Sequence, residues 1–319
     1  MKIDAVITWV DGDDPRHRAK REQYGGATVA DREDVAAETR FRSVGEILYC
    51  VASLNRYASW LNKIYIVTDE QDPMIEERIA ELFPEGYIPM EIVDHKTIFR
   101  GYEEHLPTFN SISIESMTWR IPGLSEYFIE FNDDLILAAP TKPEDFFTPE
   151  GHAICYGKRY NAAIVLLRYL LHRHKDGSKQ VKFLQTMLNA AKLLKRRGDL
   201  IKIYHTPKAL RRSVYEEYFT AHPEHLTNNI RHRFRAPEQY NAEEINYLLL
   251  SDRGECELRR AISLLYLKPK TDVGYIAEKL AHFDTLPNHK FGCFNSIDKM
   301  TDEGRAMTID WIERRIGMK

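Results

Sequence analysis

Two adjacent carboxylates follow a strongly apolar run of the chain. The run EYFIEFN (126–132) leads directly into Asp133 and Asp134, so these side chains emerge at a strand end and not in a polar loop. Neighbouring carboxylates repel one another unless they share a cation, and Mg²⁺ usually takes one or two protein carboxylates together with water and substrate phosphates. The pattern predicts a metal or catalytic site at Asn132, Asp133 and Asp134, with a helix cap or tight turn as the structural alternative.

Two further segments have residue types that suit a phosphate or a sugar. The first apolar run, IDAVITWV, is followed by Asp11 and Gly12, and a glycine lets the backbone approach a ligand closely. Residues 105–116 carry Asn110 and Glu115 where a loop enters a predicted helix, and the N–H groups at a helix N-terminus suit anions. A plain turn and plain helix capping are the structural alternatives.

A histidine and a run of arginines could act on such a ligand. His205 precedes a predicted helix, and a histidine beside a metal and a phosphate is a usual general base. In RHRFR (231–235), Arg231, Arg233 and Arg235 share one side only if the backbone is extended. An RNA-binding strip is the alternative, but the run is short and lacks regularly interleaved aromatics and a recognisable nucleic-acid motif.

Short apolar runs alternate with helical patterns over residues 1–150, which is typical of βαβ units and a largely parallel sheet. Strands are predicted at 3–10, 63–68, 90–95 and 126–132. The helix predicted over 43–58 has its apolar face at Val44, Ile47, Leu48, Val51 and Leu54. Ligands of open α/β sheets bind outside the carboxyl ends of the strands, and three of these strands end in carboxylates, so we expect the site at that edge.

The pattern changes to amphipathic helices after residue 150. Helices are predicted over 179–197, 208–221, 241–250, 256–266 and 303–316. Three prolines, Pro140, Pro143 and Pro149, indicate the boundary between the two halves. The sequence therefore predicts an α/β half, residues 1–150, that carries the acidic motif, and a helical, basic half, residues 151–319, that completes the site within one catalytic domain.

Charge is distributed unevenly along the chain. The 319 residues include 45 Lys and Arg against 48 Asp and Glu, and the net charge of −3 argues against a uniformly basic nucleic-acid-binding protein. Residues 1–150 carry a net charge of −14 and residues 151–235 a net charge of +13. A phosphorylated ligand between the two, with a metal on the carboxylates, is one interpretation, and solvated helix faces are the other.

The sequence indicates neither secretion nor a membrane span. Its longest uncharged apolar runs, such as AAIVLL (162–167), are far shorter than the ~20 residues that cross a bilayer, and charge appears too early for a signal peptide. The cysteines are spaced singly, which indicates neither a zinc ribbon nor a disulfide framework: Cys50, Cys155, Cys256 and Cys293. We expect a soluble, cytoplasmic protein with reduced thiols.

Several strings of the sequence, in this order, resemble the Stealth family. They are ITWVDGDDP, RFRSVGEILYCVASLNRYASWLNKIYIVTDEQDP, LPTFNSISIESMTWRIPGLSEYFIEFNDDLIL, YHTPKALRRSVYEEYF and HRFR. The resemblance covers residues 3–140 densely, 203–250 moderately and the end of the chain weakly. The family includes bacterial capsular-polysaccharide phosphotransferases and the animal N-acetylglucosamine-1-phosphotransferase.

The resemblance implies an activity, a fold and a cofactor. The implied activity is transfer of a sugar 1-phosphate from a UDP- or GDP-sugar to a hydroxyl of a saccharide or lipid-linked saccharide acceptor, with release of a nucleoside monophosphate, in the synthesis of a cell-surface polysaccharide. The implied fold is α/β, with a mostly parallel Rossmann-like (glycosyltransferase-A-like) sheet flanked by helices, in which residues 1–150 bind the nucleotide sugar. The implied cofactor is Mg²⁺ or Mn²⁺.

The family's motifs also imply roles for individual residues. The implied catalytic residues are Asp133, Asp134, His205 and Arg235, with the metal on the two aspartates. The implied substrate-binding residues are Trp9, Asp11, Gly12, Arg42, Asn110, Glu115, Asn132, His232, Arg233 and Asn295. Where the family's last region usually has an Asn-Asp pair, this chain has Asn295 and Ser296, and Asp298 is the candidate substitute.

Two other functions stay open from the sequence. A metal-dependent glycosyltransferase on a similar fold would release a nucleoside diphosphate. A non-catalytic module that binds anionic polymers through the +13 segment would need neither metal nor the acidic pair. No nucleic-acid partner is expected, whereas peripheral contact with the inner face of the cell membrane and self-association are left open.

Overall fold

A computed structural model describes residues 1–30, 45–172, 179–196, 198–260, 264–268, 272–286 and 289–319. Its strands are β1 (Ile3–Thr8), β2 (Lys63–Thr68), β3 (Met90–Asp94), β4 (Tyr127–Asn132), β5 (Leu135–Leu137), β6 (Ala153–Asn161), β7 (Asp199–Ile203), β8 (Lys208–Arg211), β9 (Cys256–Arg259), β10 (Leu264–Leu267) and β11 (Phe291–Phe294). Its helices are α1 (Pro15–Ala30), α2 (Glu46–Tyr57), α3 (Glu76–Leu82), α4 (His95–Ile98), α5 (Ser111–Glu115), α6 (Ala162–His172), α7 (Lys179–Leu193), α8 (Arg212–Ala221), α9 (Pro223–Ile230), α10 (Ala242–Asp252), α11 (Val273–Asp284) and α12 (Asp302–Ile316). Of the predicted site residues, Arg42 lies outside the described residues.

Five strands form the central sheet. Their order is β3-β2-β1-β4-β8, in which the first four strands are parallel and β8 is antiparallel to β4. The inner parallel strands β1, β2 and β4 are largely apolar and buried, and Ala5, Val6 and Ile7 of β1 are fully buried, as expected where a parallel sheet is covered on both faces. The predicted α/β fold with a mostly parallel sheet is confirmed.

The carboxyl ends of the parallel strands meet at one edge of this sheet. Thr8 at the end of β1 is in register with Asn132 at the end of β4, and Thr68 of β2 is in register with Asp94 of β3. Because β8 runs in the opposite direction, its first residue, Lys208, lies at the same edge. The sheet therefore brings the turns after β1, β2 and β4 close to the segment before β8.

Two three-stranded sheets, β10-β11-β5 and β7-β6-β9, complete the strand pairing of the described residues. β5 follows the acidic turn and pairs antiparallel with β11. The backbone N–H of Phe294 also donates to the carbonyl of Asp134 at 2.9 Å. The end of the chain is thereby held against the acidic pair.

Two segments that the sequence predicts as helices contain strands. Residues 208–221 begin as β8 before α8 starts, and residues 256–266 contain β9 and the beginning of β10. These strands pair with β4, β6 and β11, which are distant in sequence, and local periodicity does not reveal such partners. The helices predicted over 43–58, 179–197, 241–250 and 303–316 are confirmed as α2, α7, α10 and α12.

One hydrophobic core extends through the described parts of both halves. It includes Ile3 near the start of the chain and Ile316 near its end. Ile47, Val51 and Leu54 of α2 are buried in it, as the helix face predicted from the sequence requires. The acidic turn between β4 and β5 is therefore anchored on both sides by packed apolar residues.

We expect Ile129→Ala to destabilise the protein strongly. Ile129 is fully buried in β4 and lies in register with Ala5 of β1 and Ala209 of β8, whose small side chains cannot fill the cavity that forms. The expected loss in the free energy of unfolding is about 2–5 kcal/mol, measured by urea denaturation. The matched control is Ile92→Ala on edge strand β3, where Ile92 is 42% exposed and the expected loss is about 1 kcal/mol or less. Equal losses at the two positions would contradict this packing.

Candidate functional site

The acidic turn joins β4 to β5 and borders a small pocket. Asp133 and Asp134 line this pocket together with Glu46 and Tyr49 of α2 and Phe294 of β11. The pocket has room for about one water molecule, which is also the scale of a single bound cation. Its lining is apolar apart from the three carboxylates and one phenol.

The described residues compensate little of the negative charge of Asp133 and Asp134. Burial raises the pKa of Asp133 well above its usual range, and Asp134 and Glu46 raise it further. Burial also raises the pKa of Asp134, although its contacts with Asn295 Nδ2 at 3.5 Å and Cys293 Sγ at 3.8 Å oppose the rise. A divalent cation would relieve this repulsion, and carboxylate and amide oxygens are ligands that Mg²⁺ accepts, so these residues fit such an ion.

Asn295 and Ser296 lie directly after β11, at the mouth of the same turn. Ser296 has a left-handed backbone conformation with φ of 54° and begins a short 3₁₀ turn over Ile297–Lys299. Its hydroxyl donates to Asn295 Oδ1 at 3.1 Å, while Asn295 Nδ2 points to Asp134. The serine therefore orients the Asn295 amide.

His205 is connected to the acidic turn through stacked and paired side chains. Its ring stacks on Tyr266 with centroids 4.9 Å apart and planes 12° apart. Tyr266 is in register with Cys293, whose Sγ contacts Asp134. Partial desolvation of the imidazole lowers the pKa of His205, and the positive charge of Lys208 lowers it further. The residue as a whole is exposed. His205 is thus an accessible imidazole that is neutral near pH 7, the form a general base requires.

A buried ion cluster lies at the edge between β4 and β8. Lys208 Nζ is 3.2 Å from Glu130 of β4 and 3.0 Å from Glu243 of α10, and Glu115 of α5 completes the cluster. Burial disfavours the ammonium, but the three glutamates outweigh it and hold the pKa of Lys208 well above its usual range. The positive charge of Lys208 also opposes the rise in the pKa of Asp134, so its electrostatic effect reaches the acidic turn.

Arg235 joins the arginine run to this cluster. Its guanidinium donates to Ser111 Oγ at 2.6 Å, while the residue is exposed. Burial raises the pKa of Glu115, and Lys208, Arg235 and a hydrogen bond from Ser111 oppose that rise. An accessible guanidinium is therefore held beside the buried ion cluster.

The other predicted residues in the arginine run and in the segment before α5 contact the protein itself. Asn110 is fully buried, and its Nδ2 donates to the carbonyl of His232 at 2.9 Å and to Gln239 Oε1 at 2.8 Å. Arg233 donates to the carbonyl of Leu106 at 3.1 Å. These hydrogen bonds hold residues 231–235 against the start of α5.

Trp9, Asp11 and Gly12 lie beyond the end of β1, at the same sheet edge. Asp11 accepts a hydrogen bond from the N–H of Asp13 at 2.9 Å, and its own N–H donates to Gln71 Oε1 at 2.8 Å, which forms the turn. Trp9 is 8% exposed, and its Nε1 has no hydrogen-bond partner within the described part of the chain. An unsatisfied indole donor thus lies one strand away from the acidic turn.

A second polar group lies at the ends of β2 and β3. His95 is buried, and among the described residues neither of its ring nitrogens has a partner. Burial lowers its pKa to about 4, although Asp69 and Asp94 act in the opposite direction. Lys20 of α1 lies 3.3 Å from Asp69 and 2.6 Å from Glu70. His95 is therefore a buried imidazole that is neutral near pH 7 among charged neighbours.

Two further groups of side chains in the described residues have metal-ligand geometry. They are Glu115, Glu130 and Glu243, and His222, Glu224 and His225, with the ligand atoms of each group within 4.8 Å of one another. Lys208 already supplies a cation to the first group. The metal site at Asp133 and Asp134 stays a prediction.

Sequence reasoning missed several residues of this site. Lys208, Glu130 and Glu243 are brought together only by the pairing of β8 with β4 and the packing of α10. A signal for Glu130 was present, because a glutamate inside the apolar run YFIEFN needs a buried partner. Tyr266 lay in a segment predicted as helix, so its stacking on His205 was not foreseeable.

The fold and the site define an α/β protein whose polar groups meet at the carboxyl edge of a mostly parallel sheet, the position where ligands of this class bind. Residues 1–29 match Stealth protein CR1, conserved region 1, and residues 40–155 match Stealth protein CR2, conserved region 2. The chain carries two conserved regions of the Stealth family, as its sequence strings predict.

Curated relatives are similar over part of their length. Exopolysaccharide phosphotransferase SCO6021 of Streptomyces coelicolor is 36% identical over 242 residues, covering 73% of this chain and 40% of that protein. Receptor polysaccharide phosphotransferase WefC of Streptococcus oralis is 39% identical over 163 residues, covering 51% and 45%. The chain spans less than half the length of these two relatives. Among solved structures, mouse xyloside xylosyltransferase 1 aligns with a TM-score of 0.44 at 12% identity, over 92% of this chain and 98% of that one.

We expect Lys208→Met to destabilise the protein by about 3–5 kcal/mol in urea denaturation, because three buried glutamates lose their cation. The loss should be much smaller when Lys208→Met is made together with Glu130→Gln and Glu243→Gln, which remove the uncompensated charges. The control Lys299→Met, at an exposed position, should change stability by about 0.5 kcal/mol or less. Additive losses in the triple variant would argue against a coupled cluster.

We expect His95 to make stability depend on pH. The unfolded chain takes up a proton at this residue near pH 6.5, whereas the folded protein does so only near pH 4. Protonation therefore favours unfolding between these values, and about 3 kcal/mol should be lost as the pH falls from 6.5 to 4. His95→Leu should remove that part of the decline in urea denaturation at a series of pH values. A decline as steep as in the parent protein would show that His95 titrates normally.

Proposed function

We propose that this protein transfers a sugar 1-phosphate from a nucleoside-diphosphate sugar to a hydroxyl of a saccharide or lipid-linked saccharide acceptor. The observation that carries the proposal is the pair Asp133 and Asp134 at the carboxyl edge of the sheet, two side chains away from the neutral, accessible imidazole of His205. The names of the relatives, exopolysaccharide and receptor polysaccharide phosphotransferase, support this choice of reaction.

Asp133 and Asp134 would hold a divalent metal, for which Mg²⁺ is the proposed ion and Mn²⁺ the alternative. The poorly compensated charge and raised pKa of the two carboxyls support this assignment. When bound, such an ion neutralises negative charge on the diphosphate. Asn295, oriented by Ser296, would stabilise the position of the Asp134 carboxylate through its amide.

The acceptor hydroxyl would be activated by His205. In the proposed reaction the acceptor oxygen attacks the phosphorus bonded to the sugar, the bond from that phosphorus to the nucleotide phosphate breaks, and a nucleoside monophosphate leaves. The hydroxyl proton passes to a ring nitrogen of His205, which is unprotonated near pH 7. Arg235, whose guanidinium is exposed beside Ser111, would stabilise the charge of the phosphoryl groups.

The donor would bind along the sheet edge formed by residues 1–150, and residues 151–319 would complete the site. Trp9, with its unsatisfied indole N–H, and Gly12 support donor binding at the end of β1. Asp11, Arg42 and Asn132 keep their proposed role in donor binding. The other proposed substrate-binding residues are Asn110, Glu115, His232 and Arg233. Hydrogen bonds from Asn110 and Arg233 hold the loop that would line the substrate. A nucleotide-sugar donor agrees with the predicted cytoplasmic location.

We expect the purified chain, given Mg²⁺, an acceptor saccharide and a panel of UDP-, GDP- and CMP-sugars, to release a nucleoside monophosphate from one donor. Asp134→Asn should lower this turnover by about 100-fold or more, because the charge that faces the diphosphate site is halved. His205→Gln should lower it by about 100-fold or more and remove the low-pH limb of the pH–rate profile. Chromatographic separation of nucleoside mono- and diphosphates gives the readout.

The matched control is Asp310→Asn, which removes a carboxylate from the exposed face of α12 and should leave turnover unchanged. Release of a nucleoside diphosphate would show a glycosyltransferase and overturn the proposed chemistry. Unchanged turnover in Asp134→Asn would remove the acidic pair from the mechanism. Acceptor-independent release would indicate simple hydrolysis.

A further inference from the structure

Helix α6 exposes an apolar surface of unusual extent. Five of its eleven residues are apolar side chains that are 42–67% exposed: Ile164, Leu166, Leu167, Leu170 and Leu171. Single exposed apolar residues are common on proteins, but a contiguous group of this kind marks an interaction surface. We call these five residues the α6 apolar face.

The opposite side of α6 is already packed. Val165 is 1% exposed and lies in a small core with Leu184, Met187 and Leu200, against which Tyr169 also packs. At about 100° per residue, the α6 apolar face covers about 160° of the helix circumference and points away from this core. The face is therefore not the inner side of the α6–α7 hairpin.

Basic residues are frequent on and beside the α6–α7 hairpin. Arg168 lies on α6 itself, and Lys158 precedes the helix, both exposed. The segment after α7 lies beside the start of α6, because the N–H of Ala162 donates to the carbonyl of Gly198. The exposed Lys192 and Lys195 lie at and just after the end of α7. Over the whole segment 158–202 the sequence has twelve Lys and Arg residues against two acidic ones.

We propose that the α6 apolar face docks on the surface of an anionic lipid bilayer. None of the described helices is long and apolar enough to cross a membrane. An exposed apolar side together with nearby basic residues suits a helix that lies in the interface. The leucines would enter the boundary between headgroups and acyl chains, and the nearby cations would contact acidic headgroups, at about 1 kcal/mol for each such residue. A second copy of the chain is a poorer occupant, because self-docking would bring two such basic segments together.

The strands that carry the α6–α7 hairpin lead directly to the candidate site. It is inserted between β6 and β7, which pair antiparallel from Gly157 and Ile203 outwards. The N–H of Tyr204 donates to the carbonyl of Tyr156, and His205 follows directly. Docking of the hairpin would hold the accessible side of His205 at a defined position relative to the bilayer. The docking surface itself does not depend on the proposed chemistry.

The test is flotation of the full chain with vesicles of phosphatidylcholine alone or of phosphatidylcholine mixed with phosphatidylglycerol. We expect binding to the mixed vesicles, at least about tenfold weaker binding to neutral ones, and weakening by added salt. The variant Ile164→Ser/Leu167→Ser/Leu171→Ser should lose at least about tenfold in affinity for the mixed vesicles. The matched control is Met74→Ser/Ile92→Ser, which removes side chains that are 80% and 42% exposed elsewhere, and it should bind as the parent does.

A second pair of variants tests the charges. Lys192→Gln/Lys195→Gln should weaken binding and reduce its salt dependence, whereas Lys279→Gln/Lys299→Gln, at exposed positions on another part of the molecule, should not. Leu167→Trp gives a readout without loss of apolar surface, because its emission should shift to the blue when anionic vesicles are added. Failure of the parent to bind anionic vesicles, or equal binding by the serine variant, would overturn the proposal. A dimer that the serine variant converts to monomer, without vesicle binding, would assign the face to a second copy.

Discussion

The ion cluster around Lys208 is the interaction on which the arrangement of the site depends. Its four side chains come from β4, β8, α5 and α10, and each would be costly to bury alone. Lys208 meets Glu130 and Glu243 at salt-bridge distance and has Glu115 close by, so the cluster connects the edge of the parallel sheet to both helices. Because β8 is antiparallel to β4, the same pairing brings His205, three residues earlier, to the carboxyl edge. The need to neutralise these buried glutamates thus holds residues 151–319 against residues 1–150 at the sheet edge.

The two acidic groups of the molecule differ in how their charge is balanced. The glutamates around Lys208 have their cation within the chain. At the acidic turn, by contrast, Asp134 contacts an amide and a thiol, and Lys208 acts on it only at longer range. Desolvated carboxylates that no described cation contacts are destabilising, and groups whose pKa values are perturbed in this way are common at functional sites. This contrast is why the acidic turn, and not the larger glutamate cluster, is the proposed metal position.

Features of the site that depend on local sequence could be predicted, whereas those that depend on residues distant in sequence could not. The strands that end in Thr8, Thr68 and Asn132 could be predicted because a buried parallel strand is apolar throughout and ends at its polar turn. β8 and β9 could not be, since KALR and CELR have only four residues each and pair with β4 and β6, which are distant in sequence. Lys208 was missed for the same reason, because its partners are distant in sequence. The sequence predicted that Asn110 lies before a helix at the site. It could not predict that the Asn110 amide donates both of its hydrogen bonds within the protein.

The basic charge of the middle segment has two different physical uses in the fold. Lys208 is buried and balanced by glutamates, and Arg235 stands at the site beside Ser111. The cations around α6 belong instead to a hairpin whose own core is small and whose outer side is apolar. An enzyme that needed the hairpin only to connect β6 with β7 could use a short turn, because antiparallel strands are joined by as few as about two residues. The insertion of two helices with exposed leucines costs solubility, and contact with a surface outside the chain is the interaction that offsets this cost.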